Sequence, residues 1–185
     1  VIVSNLAVAA TAVYGEDPDN PCLEPYLSGI LAKMKRFIDR TYYADGSYGE
    51  PIGYENMATR DLVEALYVLE RNFGIDYTTT THIEDMYQYP LQGAYSDGRI
   101  ADFGDAGLRG NWGWGGNPFL WLTYRTQNPW TAHYSQPALE EGRGDLYRWL
   151  WYTTGLETKQ REELVPSRHF PVRGAMFMRS DWSDE

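Results

Sequence analysis

The stretch "DGSYGEPIGYENMA", residues 45–58, joins two segments of helical pattern and decides how the first half of the chain folds. Asp45-Gly46 is typical of a tight turn, and Pro51 suits the first turn of a helix. The stretch therefore predicts a short loop that brings two phenols and a carboxylate to a helix N-terminus. These side chains belong to Tyr48, Glu50 and Tyr54.

Apolar residues on both sides of this loop recur at helical spacing. The segment before it carries an apolar stripe with the pattern i, i+3, i+4, i+7 between Leu27 and Ile38. The segment after it repeats the pattern between Asp61 and Arg71. Further on, the sequence predicts three shorter helices, in "TTTTHIEDMYQYPLQGAYS" (78–96), "NPFLWLTYRT" (117–126) and "DLYRWLWYTTG" (145–155), with "TQNPW" (126–130) as a linker.

The pattern changes near residue 163. The charged connector "TKQREELVPSR" (158–168) leads into "HFPVRGAMFMRSDW" (169–182), in which Gly174, Met176 and Met178 follow the period of two that is typical of a strand. We therefore predict a mainly α chain, with residues 1–162 as part of an α/α toroid or helical bundle. Residues 163–185 are predicted to be a linker and the first strand of an antiparallel β-sandwich.

Composition excludes several classes of function. The net charge of −10 argues against a general affinity for nucleic acid or for anionic membranes, and no apolar run approaches the roughly 18 residues of a membrane span. The single cysteine, Cys22, favours burial as a small apolar residue. Both ends of the sequence resemble interrupted elements, so we expect an internal piece of a longer protein.

A Gly-rich loop within residues 102–117, "DFGDAGLRGNWGWGGN", combines carboxylates, an arginine, amides and tryptophans. Such side chains suit a polar sugar ring that carries a charge, because tryptophan faces stack on sugars while the polar groups bind hydroxyls and carboxylates. A loop held together by its own side chains explains the composition equally well. The candidate substrate-binding residues are Asp105, Arg109, Asn111, Trp112 and Trp114.

Metal-binding and nucleophile motifs are weak in this sequence. "HIED" would place His82 and Asp85 on one face of a helix, but a surface histidine beside solvated carboxylates is the more common explanation. The sequence has neither a P-loop nor a Gly-x-Ser-x-Gly motif. We therefore predict no metal and no cofactor within this chain.

Three stretches together resemble the heparinase II/III-like polysaccharide lyases, which include the oligoalginate lyases. They are "ADGSYGEPIGY" (44–54), "DFGD" (102–105) and "FPVRGAMFMRSDW" (170–182). Each motif is loose by itself, but their order and spacing are more specific, and the resemblance covers nearly the whole chain. The family's fold is an incomplete α/α toroid followed by a β-sandwich.

The resemblance implies β-elimination from a uronate-containing polysaccharide or oligosaccharide. The uronate carboxylate is neutralised, a base removes the neighbouring proton, and an acid protonates the departing sugar oxygen. Tyr54 matches the family's catalytic tyrosine, and Glu50 matches an acidic position that orients partners or contacts hydroxyls. Tyr48, close by, is a further candidate for substrate contact.

The resemblance also implies features outside this sequence. The neutralising Asn or His is expected before Val1, and a catalytic His, with any structural metal, is expected after Glu185. A periplasmic or secreted location is suggested by the resemblance alone. The oligomeric state and the identity of the acidic polysaccharide stay open.

Two other functions remain open at this point. A glycoside hydrolase on a similar toroid would need two carboxylates, for which Glu50 and Asp105 are candidates. A non-catalytic sugar-binding helical module would bind oligosaccharides without turnover. An elimination product absorbs in the ultraviolet and a hydrolysis product does not, so a simple assay separates these functions.

Overall fold

A computed structural model describes residues 2–95, 99–101, 116–140 and 146–182 (for residues 136–140 and 161, the backbone only), and the chain within them is mainly helical. These ranges contain seven α-helices, two short 3₁₀ turns and a two-stranded antiparallel sheet. The helices are α1 (Ile2–Glu16), α2 (Leu23–Thr41), α3 (Ile52–Phe73), α4 (Gln88–Gly93), α5 (Asn117–Thr126), α6 (Pro129–Glu140) and α7 (Leu146–Leu150). The 3₁₀ turns are Ile83–Asp85 and Arg161–Glu163, and the strands are β1 (Arg168–Phe170) and β2 (Ala175–Phe177).

The long helices α2 and α3 follow the predicted apolar stripes. In α2 the stripe buries Leu27, Ile30, Met34 and Ile38. Helix α3 begins directly after Pro51 and ends at Gly74, whose φ of 66° is the left-handed conformation that glycine adopts most readily. The predicted helix 61–71 is therefore confirmed, and it starts nine residues earlier than the apolar pattern alone indicated.

Helices α1 and α3 lie side by side and run parallel. Near their C-terminal ends, the rings of Tyr14 and Phe73 meet edge to face at 5.3 Å. Near the start of α1, the side chains of Ile2 and Ser4 line a cavity of about 300 Å³ together with Leu62 of α3. Because both pairs are separated by about 60 positions in sequence, the two helices point in the same direction.

Helix α5 also runs parallel to α3, on another side of it. At its start, Asn117 Nδ2 donates a hydrogen bond of 3.0 Å to Glu64 Oε1. About two turns further along both helices, Arg125 Nη1 donates to Glu70 Oε1 at 3.0 Å. Helices α1, α3 and α5 therefore begin at the same end of the molecule, which we call the top.

Helices α2 and α6 run in the opposite direction to these three. The Tyr42 hydroxyl, at the end of α2, lies 2.8 Å from Thr59 Oγ1 in the second turn of α3. In α6, the Thr131 hydroxyl lies 3.0 Å from Thr123 Oγ1, near the end of α5. The arrangement is an alternation of parallel helices with antiparallel partners.

Helix α6 was not predicted from the sequence, and the linker prediction for "TQNPW" is wrong beyond residue 128. Asn128 Oδ1 accepts hydrogen bonds from the backbone N–H groups of Trp130 (3.0 Å) and Thr131 (3.3 Å), which caps the new helix. Pro129 occupies the first helical position, where its missing N–H has no consequence. The helix-start signal was present in "NPW" and was interpreted as a turn.

The predicted helix over residues 78–96 is wrong for its first half. Side chains there bond to nearby backbone instead: Thr78 N–H donates to Asp76 Oδ1 at 2.9 Å, and the Thr81 hydroxyl donates to Tyr77 O at 2.8 Å. Such local bonds compete with the helical ladder. Only α4 forms a helix in this stretch, and α7 is likewise shorter than the predicted 145–155.

The C-terminal segment forms a hairpin instead of one extended strand. Strand β1 pairs with β2 so that His169 faces Met176 and Phe170 faces Ala175. Gly174 does not lie in the strand, as the period-two pattern predicted, but in the connecting turn, with a φ of 69°. The backbone needs glycine there because a side chain strains this conformation.

The hairpin packs against the helices at the top of the molecule. Phe170 is completely buried, and its ring lies 5.2 Å from that of Tyr89 in α4. Asp45 holds the hairpin from the other side: its Oδ2 accepts the Val172 N–H at 3.0 Å, and its backbone oxygen accepts Arg168 Nη2 at 3.1 Å. The predicted domain boundary at residue 162 stays a prediction.

Two smaller findings concern exposure and length. Cys22 is exposed at the start of α2, so the prediction of a buried cysteine is wrong. Within the described parts of the chain, no helix combines the length and the apolar character needed to cross a membrane.

Candidate functional site

The loop that leads into α3 is fixed by its own hydrogen bonds. Asp45 Oδ1 accepts the backbone N–H and the hydroxyl of Ser47 at 3.0 and 2.6 Å. Gly46 has a φ of 82°, and a Cβ there would lie 3.0 Å from the Gln88 side chain. Both the left-handed backbone and the close contact with Gln88 therefore favour glycine at this position. Partial burial raises the pKa of the Asp45 carboxyl, but the hydrogen bonds from Ser47 and Val172 outweigh it and hold the pKa below its usual value.

Tyr54 lies in the first turn of α3, at the top of the molecule, as the sequence predicted. Its backbone N–H donates to Pro51 O at 3.0 Å, which fixes the start of the helix. Its side chain is 36% exposed, and the preceding Glu50 is exposed as well. A phenol and a carboxylate from one short loop therefore both reach the surface.

Tyr48 has a different environment, and the structure does not support its assignment as a substrate contact. Residue 48 pairs with Tyr42 in an isolated antiparallel bridge, and the two rings lie 5.0 Å apart. Only 1% of Tyr48 is exposed. Burial, and then the nearby carboxylates of Glu55 and Glu50, raise the pKa of its hydroxyl well above the ordinary value. Its ring is part of the core and is closed to a sugar.

Glu55, next to Tyr54 in sequence, points into the core. It is 2% exposed, and its Oε2 atom has no hydrogen-bond partner among the residues that the structure describes. Loss of hydration raises the pKa of this carboxyl well above its ordinary value. Glu55 therefore keeps its proton to a higher pH than an exposed carboxyl does, and it interacts with the hydroxyl groups of Tyr42, Tyr48 and Tyr89.

A small cavity lies beside Glu55, where α3, α4 and the first turn of α5 meet. Its volume of about 10 Å³ is close to the minimum that holds one water molecule. Asn56 and Thr59 of α3 line one side, and Pro118 and Phe119 of α5 line the other. The interior at the top of the molecule thus contains a polar group in an otherwise well-packed junction.

Sequence reasoning did not single out Glu55, although a signal was present. Ile52, Glu55, Thr59 and Leu62 are spaced by three or four residues, so they share one helical face. All four are buried. The helical period that located the core also predicts that this glutamate faces inward, whereas Tyr54 lies about 100° round the helix.

The other candidate residues lie outside the described part of the chain. They are Asp105, Arg109, Asn111, Trp112 and Trp114. The chain is described again from Gly116, which precedes the first turn of α5 at the top. The distances from these five residues to Tyr54 are therefore not given by the structure.

The histidine and carboxylate of "HIED" do not form a shared helical face. His82 is exposed and precedes the 3₁₀ turn, and Asp85 Oδ1 accepts a hydrogen bond of 2.8 Å from Gln88 Nε2. Among the residues with described positions, no group of three or more His, Cys, Asp or Glu is arranged to hold a metal ion.

Comparison with known proteins gives no assignment for this geometry. No protein-family model matches the chain, and neither a curated protein nor a solved structure matches it.

Proposed function

We propose that the chain is part of a polysaccharide lyase that cleaves uronate-containing chains by β-elimination, with Tyr54 as the proton-transferring group. The proposal rests on the resemblance of the three sequence motifs and on one observation above all. The loop before α3 and the first turn of this helix carry two phenols, of which Tyr54 is exposed and Tyr48 is buried. The phenol that the motif singles out is the one that a substrate can reach.

The helix arrangement supports an α/α toroid as the architecture. In such a toroid, parallel helices of one ring alternate with antiparallel helices of the other. Helices α1, α3 and α5 are parallel, and α2 and α6 run against them. We further propose that the hairpin of β1 and β2 begins the β-sandwich, since it packs against the top of α3, where a substrate cleft between the two parts would lie.

The electrostatics of the top of the molecule suit an acidic substrate in spite of the negative net charge. The N-termini of α3 and α5 are oriented toward this end, and each carries the partial positive charge of the helix dipole. Glu55, in the first turn of α3, adds little negative charge while it is protonated. A uronate carboxylate approaching Tyr54 therefore meets less repulsion than the composition implies.

In the proposed reaction, the catalytic His that the resemblance places after Glu185 accepts the proton of the C–H bond next to the uronate carboxylate, and the electron pair of that bond forms a carbon–carbon double bond. The glycosidic C–O bond on the neighbouring carbon breaks, and the departing oxygen receives a proton. Tyr54 donates that proton from its hydroxyl group and so acts as the general acid. Glu50, exposed four residues earlier, orients the sugar through its hydroxyl groups.

The test is an ultraviolet assay for the unsaturated product with oligouronates of several types. The resemblance places the neutralising Asn or His and the catalytic His outside this sequence, so the assay uses the full-length parent. We expect absorbance to grow with this parent, and Tyr54→Phe in it to lower the rate by about 10² to 10⁴, the usual contribution of a general acid or base. Tyr48→Phe is the matched control and should keep its activity. Reducing ends without ultraviolet absorbance would indicate a hydrolase, and binding without any product would indicate a sugar-binding module.

A further inference from the structure

The second feature at the top of the molecule is a pocket on the hairpin, which none of the motifs assigned. Its volume is about 430 Å³, within the range of pockets that hold small organic ligands. Its lining comes from the turn and second strand of the hairpin, together with one residue that follows α4. The lining residues are Ala101, Arg173, Gly174, Ala175, Met176 and Phe177.

Arg173 is the only charged residue among the described residues of this lining. Its Nε atom is buried and has no hydrogen-bond acceptor among the described residues. No described carboxylate lies within 4.0 Å of its guanidinium group. A buried guanidinium N–H without an acceptor is unfavourable, so an anion that supplies one is bound favourably.

The described groups around Arg173 do not supply an acceptor for its Nε–H group. The Asp45 carboxylate lies across the hairpin turn, but it already accepts hydrogen bonds from Ser47 and from Val172. Arg173 also lies near the buried Tyr89 hydroxyl: burial raises the pKa of Tyr89 to about 12, and the charge of Arg173 and its contact with the hydroxyl oppose this rise. Arg173 thus lies between this phenol and the pocket that it lines.

Part of the remaining lining suits a sugar ring. Met176, which is 55% exposed, offers apolar surface to the C–H face of a pyranose, and Gly174 leaves the turn without a side chain. The pocket also lies near the first turn of α3. Ile52 of that turn and Phe177 of the pocket lining both pack against Gly93, because a Cβ on Gly93 would overlap Ile52 Cδ1 and lie 3.0 Å from Phe177 Cζ.

We infer that the hairpin pocket is a uronate subsite, in which Arg173 binds the carboxylate of a pyranuronate whose ring lies against Met176. The inference depends on the proposed function only for the choice of an acidic sugar as the ligand. The subsite would hold a sugar of the same chain that meets Tyr54, on the hairpin side of the first turn of α3.

The experiment is a titration of the chain with sodium D-galacturonate or D-glucuronate, followed by NMR chemical shifts or calorimetry. D-Glucose and sodium acetate are the comparison ligands, because they offer the ring without the carboxylate and the carboxylate without the ring. We expect at least one uronate to bind at least tenfold more tightly than either. Equal binding of acetate and uronate would leave a bare anion site and overturn the sugar assignment.

The variants separate the carboxylate contact from general charge and from folding. Arg173→Gln should weaken uronate binding at least tenfold, and Arg60→Gln, a change of the same charge at an arginine on α3 outside this pocket, should not. Met176→Glu places a like charge at the pocket in a side chain that is 55% exposed, so it should weaken binding without disturbing the core. Unchanged uronate binding in Arg173→Gln and Met176→Glu would overturn the inference.

Failure of this inference is distinguishable from failure of the proposed function. Tyr54→Phe should keep its affinity for the uronate while it loses elimination activity. Uronate binding at Arg173 in a protein that makes no unsaturated product would refute the lyase and leave the subsite standing. Elimination activity combined with unchanged uronate binding in Arg173→Gln would support the lyase and refute the uronate subsite.

Discussion

The outer and inner faces of the top of α3 consist of similar residues in opposite environments. On the outer face, Glu50 and Tyr54 are exposed, and on the inner face Tyr48 and Glu55 are 1% and 2% exposed. Each face therefore pairs one carboxylic acid with one phenol. The comparison shows that residue type does not assign chemistry here, because burial raises the pKa of both inner groups and encloses them in the core, whereas the outer pair reaches the surface.

The largest expected difference between the two faces is in stability. Tyr48→Ala removes a fully buried ring and should lower the free energy of unfolding by about 3–5 kcal/mol. Tyr54→Ala removes a ring that is already partly solvated and should cost about 1–2 kcal/mol, since the transfer free energy scales with the area buried. Urea denaturation of both variants measures this, and equal costs would contradict the assignment of two distinct faces.

The next effect tests the close approach of α3, α4 and the hairpin. Gly93→Ala inserts a methyl group against Ile52 and Phe177, and overpacking of this kind should cost about 1–3 kcal/mol. Gly29→Ala, in the exposed middle of α2 with no atom within 4 Å of the new Cβ, should instead stabilise the chain by up to about 1 kcal/mol. Thermal unfolding of the two variants compares them, and a tolerated Gly93→Ala would show that this junction is loose.

The inner carboxylic acid should give stability an unusual dependence on pH. Glu55 binds its proton more tightly in the folded chain than in the unfolded chain, where a carboxyl has a pKa of about 4.3. As the pH rises above that value, the unfolded chain releases this proton first, so the free energy of unfolding falls by up to about 1.4 kcal/mol per pH unit. The loss ends where Glu55 itself ionises in the folded chain.

Glu55→Gln should remove this fall, because glutamine keeps the shape and does not titrate. Urea denaturation of the natural chain and the variant between pH 4 and 8 gives the difference directly. Asp45 has a lowered pKa, so its contribution to the free energy of unfolding is present at neutral pH and is lost as the pH falls below the ordinary value for Asp. This contribution is the same in both proteins and cancels when their stabilities are compared. Parallel pH curves for the two proteins would show that Glu55 is ionised in the folded state.

The smallest effect concerns one hydroxyl in the inner core. Tyr42→Phe removes the contact of 2.8 Å with Thr59 Oγ1 and should cost about 1 kcal/mol, since both groups are buried. Tyr54→Phe, on the outer face, should change stability by less than about 0.5 kcal/mol, the usual size of a surface substitution. Calorimetric unfolding resolves the pair, and a larger loss for Tyr54→Phe would mean that its hydroxyl is structural.

The sequence by itself determined the elements whose signals are local. The apolar periods of α2 and α3 and the turn at Asp45-Gly46 depend on neighbours within a few residues, so all three were correctly predicted. The boundaries of α5 also follow from a single short segment. The helical period of α3 also predicts that Glu55 faces inward, although this residue was not among the predicted site residues.

Only the tertiary structure decided the features that depend on residues far apart in sequence. Phe170 is buried because the hairpin packs against Tyr89 of α4, about 80 residues earlier in the sequence. Helices α1, α3 and α5 share one end of the molecule through contacts across 50 to 60 residues. The physical reason is the distance in sequence over which each interaction acts. A helix forms from neighbours about one turn apart, whereas the exposure of Tyr54 and the burial of Tyr48 depend on what packs beside them.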